Sequence, residues 1–177
     1  MAMASGGARI PLLTTYDLPR PEDWKAFQPF LRGVFSQWHP TSFELNGQTF
    51  STAEQWMMFG KAELFADADV AKAILATTDP AEQKRLGRQV ADFVQETWDG
   101  AKIGIVYAGS RAKFTQNEGA LRQLKATHGK MLVEANPRDW VWGAGLSAED
   151  PGIHDPRQWL GENLLGRILT KVRGEFD

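Results

Sequence analysis

The sequence predicts an α+β protein in which helix predominates, with a few short strands and a β-hairpin. Two observations support this class. Strand signals and a hairpin come first along the chain, then a majority of helices, then two short strands and a last helix. The length of 177 residues fits one domain with a real core, and we find no internal repeat or linker. We therefore expect a single compact domain over residues 9–177.

The N-terminal part of the chain carries weak signals. Residues 1–8 are small and flexible in composition and are expected to be disordered. The pattern over residues 9–15 predicts a short strand. Three prolines fall within residues 17–29, which predicts a loop with one helical turn near Trp24.

A hairpin followed by a helix is the clearest local signal. Asn46-Gly47 lies between two short runs of alternating polarity, and both turn positions of such a hairpin need a positive φ. Ser51, with Glu54 three residues later, matches a capping box and predicts the start of an amphipathic helix.

The remaining elements follow from caps and periodicity. Asp79-Pro80-Ala81-Glu82 combines a cap, a proline at the first helical position and an acid in the first turn, and Gly129 predicts a helix end. We expect helices over residues 69–76, 79–90, 98–114, 117–128 and 163–176, and strands over residues 131–135 and 140–142.

Composition excludes several classes of function. The net charge of −2 gives no general excess of basic residues for binding duplex nucleic acid. The chain has no cysteine, and its three histidines lie far apart without ligand spacing, so we expect neither a metal nor another cofactor. No apolar leader or membrane span is evident, which predicts a cytoplasmic protein. Phosphate-loop, dinucleotide and nucleophile-elbow motifs do not occur.

One acid and one amine share a face of the helix that follows the hairpin. Glu54 and Lys61 lie at positions i and i+7, among Ala53, Trp56 and two methionines. A lysine among apolar neighbours can have a lowered pKa and act as a nucleophile. In the alternative interpretation, Glu54 only caps the helix and Lys61 extends its amine to water.

Aromatic and basic residues near element ends suggest a ligand. Seven tryptophans are many for a chain of 177 residues. Trp rings with acids around a cleft suit a flat heterocycle joined to a sugar. Trp38 is either a core residue or a stacking platform. Arg88 and Arg111 are candidates for holding a phosphate.

From about residue 35 to residue 173 the chain resembles the NADAR family, the YbiA-like proteins, and the resemblance implies a YbiA-like fold. The matching pieces are Phe35 to Pro40, Thr52 to Met58 with Lys61-Ala62, Leu86 to Val90, Ala112-Lys113-Phe114 with Gln116-Asn117, Leu132 to Ala135, Asp139 with Val141-Trp142-Gly143, and Asn163 to Gly166. The chain departs at Gln37, where many members have Asn, and at Gln55, where some have His. These departures leave the roles of both amides open.

The resemblance implies a hydrolase of N-glycosidic bonds between ribose C1 and a nitrogen. The substrates it implies are phosphoribosylated pyrimidine intermediates of riboflavin synthesis, or ADP-ribosylated guanine in DNA or RNA. It places the essential acid at Glu54 and the lysine at Lys61. The substrate-binding residues expected from the matching motifs and the aromatic pattern are Trp38, Arg88, Trp98, Lys113, Asn117, Glu134, Asp139, Trp142, Gly143 and Asn163.

Two mechanisms and one other class of function stay open. Lys61 can capture C1 as a Schiff base while Glu54 shuttles the proton. Otherwise Glu54 stabilises an oxocarbenium ion, and Lys61 only holds a phosphate or orients Glu54. Cα positions at i and i+7 are about 10 Å apart along a helix axis, so both side chains must lean toward a shared carbon. A non-catalytic module that binds ADP-ribose or a nucleotide is the other class.

Overall fold

A computed structural model describes residues 9–177, and within them helix predominates over strand. The strands are β1 (Phe27–Phe30), β2 (Phe43–Leu45), β3 (Gln48–Phe50) and β4 (Met131–Glu134). The helices are α1 (Ala53–Leu64), α2 (Ala68–Leu75), α3 (Pro80–Gly87), α4 (Gln95–Gln116), α5 (Glu118–Lys125) and α6 (Leu164–Arg173). The predicted α+β class is therefore confirmed. The disorder expected for residues 1–8 lies outside the described residues.

The described residues fall into two compact units. Unit 1 contains residues 9–13 and 37–117, and unit 2 contains residues 14–36 and 118–177. Each unit has its own buried residues. The single domain expected over residues 9–177 stays a prediction.

Helix α1 is the centre of unit 1, where it packs against α2, α3 and α4. Eight of its twelve residues are buried, so α1 is covered on most sides rather than amphipathic as predicted. Two glycines allow α4 to approach α1 closely. A methyl group on Gly60 would lie 2.9 Å from Ile105 Cγ2, and one on Gly109 would overlap the Trp56 indole.

The predicted hairpin is confirmed in unit 1. Strands β2 and β3 pair antiparallel, and the turn residues Asn46 and Gly47 have φ values of 54° and 76°. The side chain of Gln116, at the end of α4, accepts a hydrogen bond from Glu44 N and donates one to Glu44 O. The amide of Gln116 thus satisfies the backbone groups of the hairpin edge and fixes the hairpin to α4.

A two-stranded parallel sheet and α6 form the centre of unit 2. Strand β1 pairs with β4 in the register Phe27 to Met131 and Phe30 to Glu134. One face buries a core cluster that includes Phe27, Met131, Val133, Ala135, Ala144 and Ile153. Helix α6 packs against β4.

Three expectations for local structure were wrong. The strand expected over residues 9–15 is absent, and residues 15–17 form a 3-10 turn that Thr14 caps. The helical turn expected near Trp24 is present as a 3-10 turn over Pro21–Asp23, but strand β1 was missed because Pro29 suggested a loop and because its partner lies about a hundred residues later. The strand expected over residues 140–142 is a turn, because Asp139 Oδ1 accepts hydrogen bonds from Val141 N and Trp142 N.

The expected helices exist, with shifted bounds. Helix α4 begins three residues before the expected position, and α3 and α6 end three residues before theirs. Within residues 9–177, no helix combines the length and the apolar character that crossing a lipid bilayer requires.

Candidate active site

The N-terminus of α1 fixes the position of Glu54. Thr52, not Ser51, is the N-cap, and its hydroxyl accepts a hydrogen bond from Gln55 N. The predicted capping box was wrong by one residue, because Gln55 rather than Glu54 reaches back, accepting from Ser51 N. Glu54 N donates to the Gln37 carbonyl, and the Glu54 side chain is 4% exposed. Its carboxyl lies in the first helical turn, where the helix dipole favours negative charge.

A buried amide network supports this end of α1. Gln55 Nε2 donates to the carbonyls of Ile74 and Thr77, while Gln83 Nε2 donates to the Thr77 carbonyl and the Ser51 hydroxyl. The Thr52 hydroxyl donates to Gln83 Oε1. Both amide side chains use their donors and acceptors, as buried polar groups must. The amide of Gln55 thus has a structural role, because it fixes α1 to the end of α2 and to Thr77 just after it.

The Lys61 amine faces two aromatic rings. Its Nζ lies 4.4 Å from the centre of the Phe93 ring and 5.8 Å from that of Trp98. Lys61 is half-buried and Trp98 is 8% exposed. Among residues 9–177, no hydrogen bond or ion pair reaches this amine, so its contacts are aromatic. An amine held this way keeps its nitrogen available for chemistry.

The surroundings of Lys61 favour the neutral amine. Burial lowers the pKa of Lys61 below the ordinary lysine value, and the positive charge of Arg88 lowers the pKa further. The carboxylate of Glu54 acts in the opposite direction and raises it. The net direction is downward, which increases the fraction of unprotonated amine near neutral pH.

Helix α3 lies beside α1 and presents two basic side chains. Gly87 packs against Met58 of α1, where a side chain at position 87 would overlap the thioether. Arg88 follows at the C-cap of α3 and is exposed. Lys84, one turn earlier, places its amine 5.9 Å from the centre of the Trp38 ring, which is 44% exposed. Trp38 is therefore exposed rather than a core residue, and its role as a stacking platform stays a prediction.

Lys113 and Asn117 are on α4 or at its end. Lys113 is 2% exposed, and burial lowers its pKa to about 7. Asn117 is the C-cap of α4, and its amide donates to the carbonyls of Ser42 and Lys113. These bonds give Asn117 a structural role in unit 1.

Asp139, Trp142 and Gly143 form a tight turn in unit 2. Asp139 Oδ1 fixes this turn through the backbone amides of Val141 and Trp142. The Trp142 carbonyl accepts a hydrogen bond from Leu165 N in the first turn of α6. A methyl group on Gly143 would lie 2.8 Å from the Asp139 carbonyl, so only glycine fits without a shift.

Asn163 connects β4 to α6. It is fully buried, with φ at 50°, and its amide accepts from Glu134 N and donates to the Leu132 carbonyl. Both the carbonyl oxygen and the NH2 group of the Asn163 amide are thus hydrogen-bonded within unit 2. This geometry supports a role for Asn163 in positioning Glu134 at the end of β4.

In unit 1, the structure brings together Glu54, Lys61, Arg88 and Trp98 around α1. Phe93 is a member of this group that the sequence analysis missed. It lies in an irregular segment without periodicity, and its only signal was its position between Arg88 and Trp98. Among residues 9–177, no group of three or more His, Cys, Asp or Glu side chains is arranged to hold a metal ion.

Comparison with known proteins gives the family context. The model of the NADAR domain matches residues 25–177. N-glycosidase R617 of Acanthamoeba polyphaga mimivirus is 42% identical over 147 residues, which cover 80% of this chain and 86% of the viral protein. The chloroplastic riboflavin biosynthesis protein PYRR of Zea mays is 30% identical over 81% of this chain, which corresponds to 23% of the plant protein.

The fold also has a solved relative. The NMR structure of the E. coli protein YbiA superposes with a TM-score of 0.70 at 25% identity, covering 86% of each chain. The YbiA-like fold implied by the sequence is therefore confirmed.

Proposed function

The chain belongs to the NADAR family, and from this membership we propose that it is an N-glycosidase. The bond that we propose it hydrolyses joins C1 of a ribose to the nitrogen of a base, in a phosphoribosyl or ADP-ribosyl compound. One observation carries the proposal: α1 presents the buried carboxyl of Glu54 and, two turns later, the Lys61 amine without an ion-pair partner among the described residues. A module that only binds a nucleotide has little use for such a pair.

Lys61 is the proposed nucleophile. Opening of the ribose ring breaks the C1–O4 bond, O4 takes a proton, and the lone pair of the base nitrogen forms an iminium at C1. The neutral Lys61 amine then adds to C1, and the C1–N bond to the base breaks as the leaving nitrogen takes a proton. Water hydrolyses the resulting imine to the free sugar and regenerates Lys61. The lowered pKa of Lys61 supports this role.

Glu54 is the proposed proton shuttle. In its protonated form it can protonate O4 or the leaving nitrogen, and as a carboxylate it can accept a proton from the attacking water. The hydrogen bond from Glu54 N to Gln37 and the amide network around Gln55 support this role, because they hold the first turn of α1 in one place.

A Schiff base on Lys61 has two alternatives, a dissociative path and a Schiff base on another lysine. In a dissociative path Glu54 stabilises an oxocarbenium ion and Lys61 makes no covalent bond. Lys113 is a second candidate amine, because burial lowers its pKa to about 7. We prefer Lys61, since it is half-buried and accessible, whereas Lys113 is 2% exposed.

The substrate is proposed to be a small phosphoribosyl or ADP-ribosyl molecule, or the same group on DNA or RNA. Trp38 offers an exposed ring face for a base or sugar, and Arg88 offers charge for a phosphate. Trp98 is 8% exposed, and its assignment to substrate binding remains a proposal. The assignments of Lys113, Asn117, Glu134, Asp139, Trp142, Gly143 and Asn163 to substrate binding remain proposals. For Asn117 and Asn163, the hydrogen bonds support positioning rather than direct contact.

A substrate panel tests the function. The protein is incubated with a phosphoribosylaminopyrimidine, ADP-ribosylated DNA and NAD, and the released base is followed by chromatography. We expect release from at least one of them, and loss of that activity by at least 1,000-fold in Glu54→Gln and Lys61→Arg, in line with removal of a catalytic group. Lys61→Arg keeps the charge but cannot form an imine.

Other outcomes separate the alternatives. If Lys61→Arg keeps wild-type turnover, a Schiff base on Lys61 is excluded and the dissociative path is supported. Binding of the compounds without release of any base contradicts the enzyme and supports the binding module.

A further inference from the structure

We propose that Phe93 is a positioning residue for Lys61, holding the amine over the face of Trp98 in the direction from which it attacks the sugar. This inference rests on the proposed function, in which Lys61 is the nucleophile. It adds to the site a residue from the connection between α3 and α4 rather than from a helix.

The contact between Phe93 and Lys61 is close and oriented. Lys61 Nζ lies 4.4 Å from the Phe93 ring centre, nearer than the 5.8 Å to Trp98. A ring face attracts an ammonium group through its quadrupole, and two rings define a direction for the amine. A lysine side chain otherwise samples many rotamers, so this arrangement lowers the entropy lost on reaching C1.

The Phe93 ring is itself held in place. It packs against Phe65, with ring centres 5.3 Å apart, and Phe65 follows the last residue of α1. Ala91 N donates to the carboxylate of Asp67, the N-cap of α2, which fixes the segment just before Phe93. Asp92 adopts a left-handed backbone with φ at 54°. A residue other than glycine is strained in that region. Such strain persists where the surrounding structure fixes the course of the backbone.

The exposure of Phe93 is consistent with this function. Its side chain is 39% exposed, with the Phe65 ring and the Lys61 amine as contacts. The ring is therefore reachable from solvent at the position of the amine. At its present place, the ring shields one side of the amine from water and leaves another open to a ligand.

Phe93→Leu and Phe93→Tyr test the inference. Leucine keeps apolar bulk against Phe65 but removes the ring face, and tyrosine keeps the face. We expect kcat to fall about 10-fold in Phe93→Leu with KM within about 2-fold of wild type, and to recover in Phe93→Tyr. Phe59→Leu is the matched control, since it loses ring packing against Phe50 and Trp56 in the same unit but removes no face over the amine, and its kcat should stay within about 3-fold.

A readout without turnover separates this inference from the proposed function. The protonation of Lys61 is followed by NMR of the 13C-methylated lysines over pH. The charged groups that act on this amine are Glu54 on α1 and Arg88 at the end of α3, and both are kept. Phe93→Leu removes a face that favours the ammonium, so the midpoint moves to lower pH. Phe93→Tyr keeps the face over the amine, so its midpoint stays at the wild-type value.

A shift in Phe93→Leu that is absent in Phe93→Tyr cannot come from a general loss of packing. If Phe93→Leu keeps the wild-type kcat and the wild-type midpoint, or if Phe59→Leu loses as much kcat as Phe93→Leu, the inference is overturned. If no compound in the panel is hydrolysed, the proposed function fails. The NMR midpoints of Lys61 then still test whether Phe93 positions the amine.

Discussion

At the scale of single residues, the protonation of Lys61 depends on four neighbours with different effects. Burial and Arg88 lower its pKa, and Glu54 raises it. The rings of Phe93 and Trp98 stabilise the ammonium while they exclude water. The amine is therefore a group whose protonation single substitutions can change in either direction.

Arg88→Gln should raise the pKa of Lys61, because it removes the positive charge that disfavours the ammonium. A higher pKa means less neutral amine at a given pH, so the pH midpoint for acetylation of Lys61 by acetic anhydride moves upward. Peptide mass spectrometry of briefly labelled protein gives this midpoint without a substrate.

Arg85→Gln is the matched control for that measurement. Arg85 is an exposed cation on the same helix, but its guanidinium pairs with Glu82 and it does not contribute to the pKa of Lys61. Its substitution should leave the midpoint unchanged. An unchanged midpoint in Arg88→Gln as well would contradict the electrostatic account of Lys61.

At the scale of elements, close packing of α4 on α1 determines where Glu54 and Lys61 can be. Trp56 donates its indole N–H to the Ile105 carbonyl in α4, and its ring occupies the space over Gly109. Gly60, next to Lys61, lies against Ile105. Both ends of the reactive face thus depend on contacts that tolerate no extra volume.

Gly109→Ala should destabilise the protein by about 1–3 kcal/mol, because the new methyl group displaces the Trp56 ring. Gly100→Ala, in the same helix, should instead stabilise it by about 0.5–1 kcal/mol, since nothing lies within 4 Å of the added carbon and alanine favours helix. Urea unfolding of both variants measures the difference. Equal effects of the two substitutions would be inconsistent with the packing described.

Elements with local signals were predictable from the sequence, and elements with distant partners were not. The Asn46-Gly47 hairpin, the start of α3 at Pro80 and strand β4 follow from turn and cap chemistry within a few residues. Strand β1 depends on β4, and the turn at residues 139–142 depends on one carboxylate that competes with a strand pattern. The N-cap of α1 is Thr52 rather than Ser51, because Gln55 donates to the carbonyls of Ile74 and Thr77 and the Thr52 hydroxyl donates to Gln83 of α3.

The same distinction applies to the candidate site. Helical spacing puts Glu54 and Lys61 on one face of α1, and the family resemblance places the acid and the lysine at these two positions, whose catalytic roles stay a prediction. Phe93 was missed because its place over Lys61 is produced by the Asp67 contact and the backbone of Asp92, which no local pattern encodes. The buried state of Lys113 also depends on tertiary packing.

At the scale of the whole molecule, the chain is a NADAR-family protein with a YbiA-like fold, and a relative 42% identical to it is named an N-glycosidase. The proposed catalytic pair and the aromatic rings around Lys61 come from one compact unit, organised by α1. The account therefore depends on a covalent bond between a sugar and one lysine of that unit.

Borohydride trapping during turnover measures that bond directly. Substrate and sodium borohydride are added together, and the protein is digested and mapped by mass spectrometry. The account predicts a reduced sugar adduct on the peptide that contains Lys61, and none in Lys61→Arg. An adduct on Lys113 instead, or continued hydrolysis with every lysine unmodified, would contradict it.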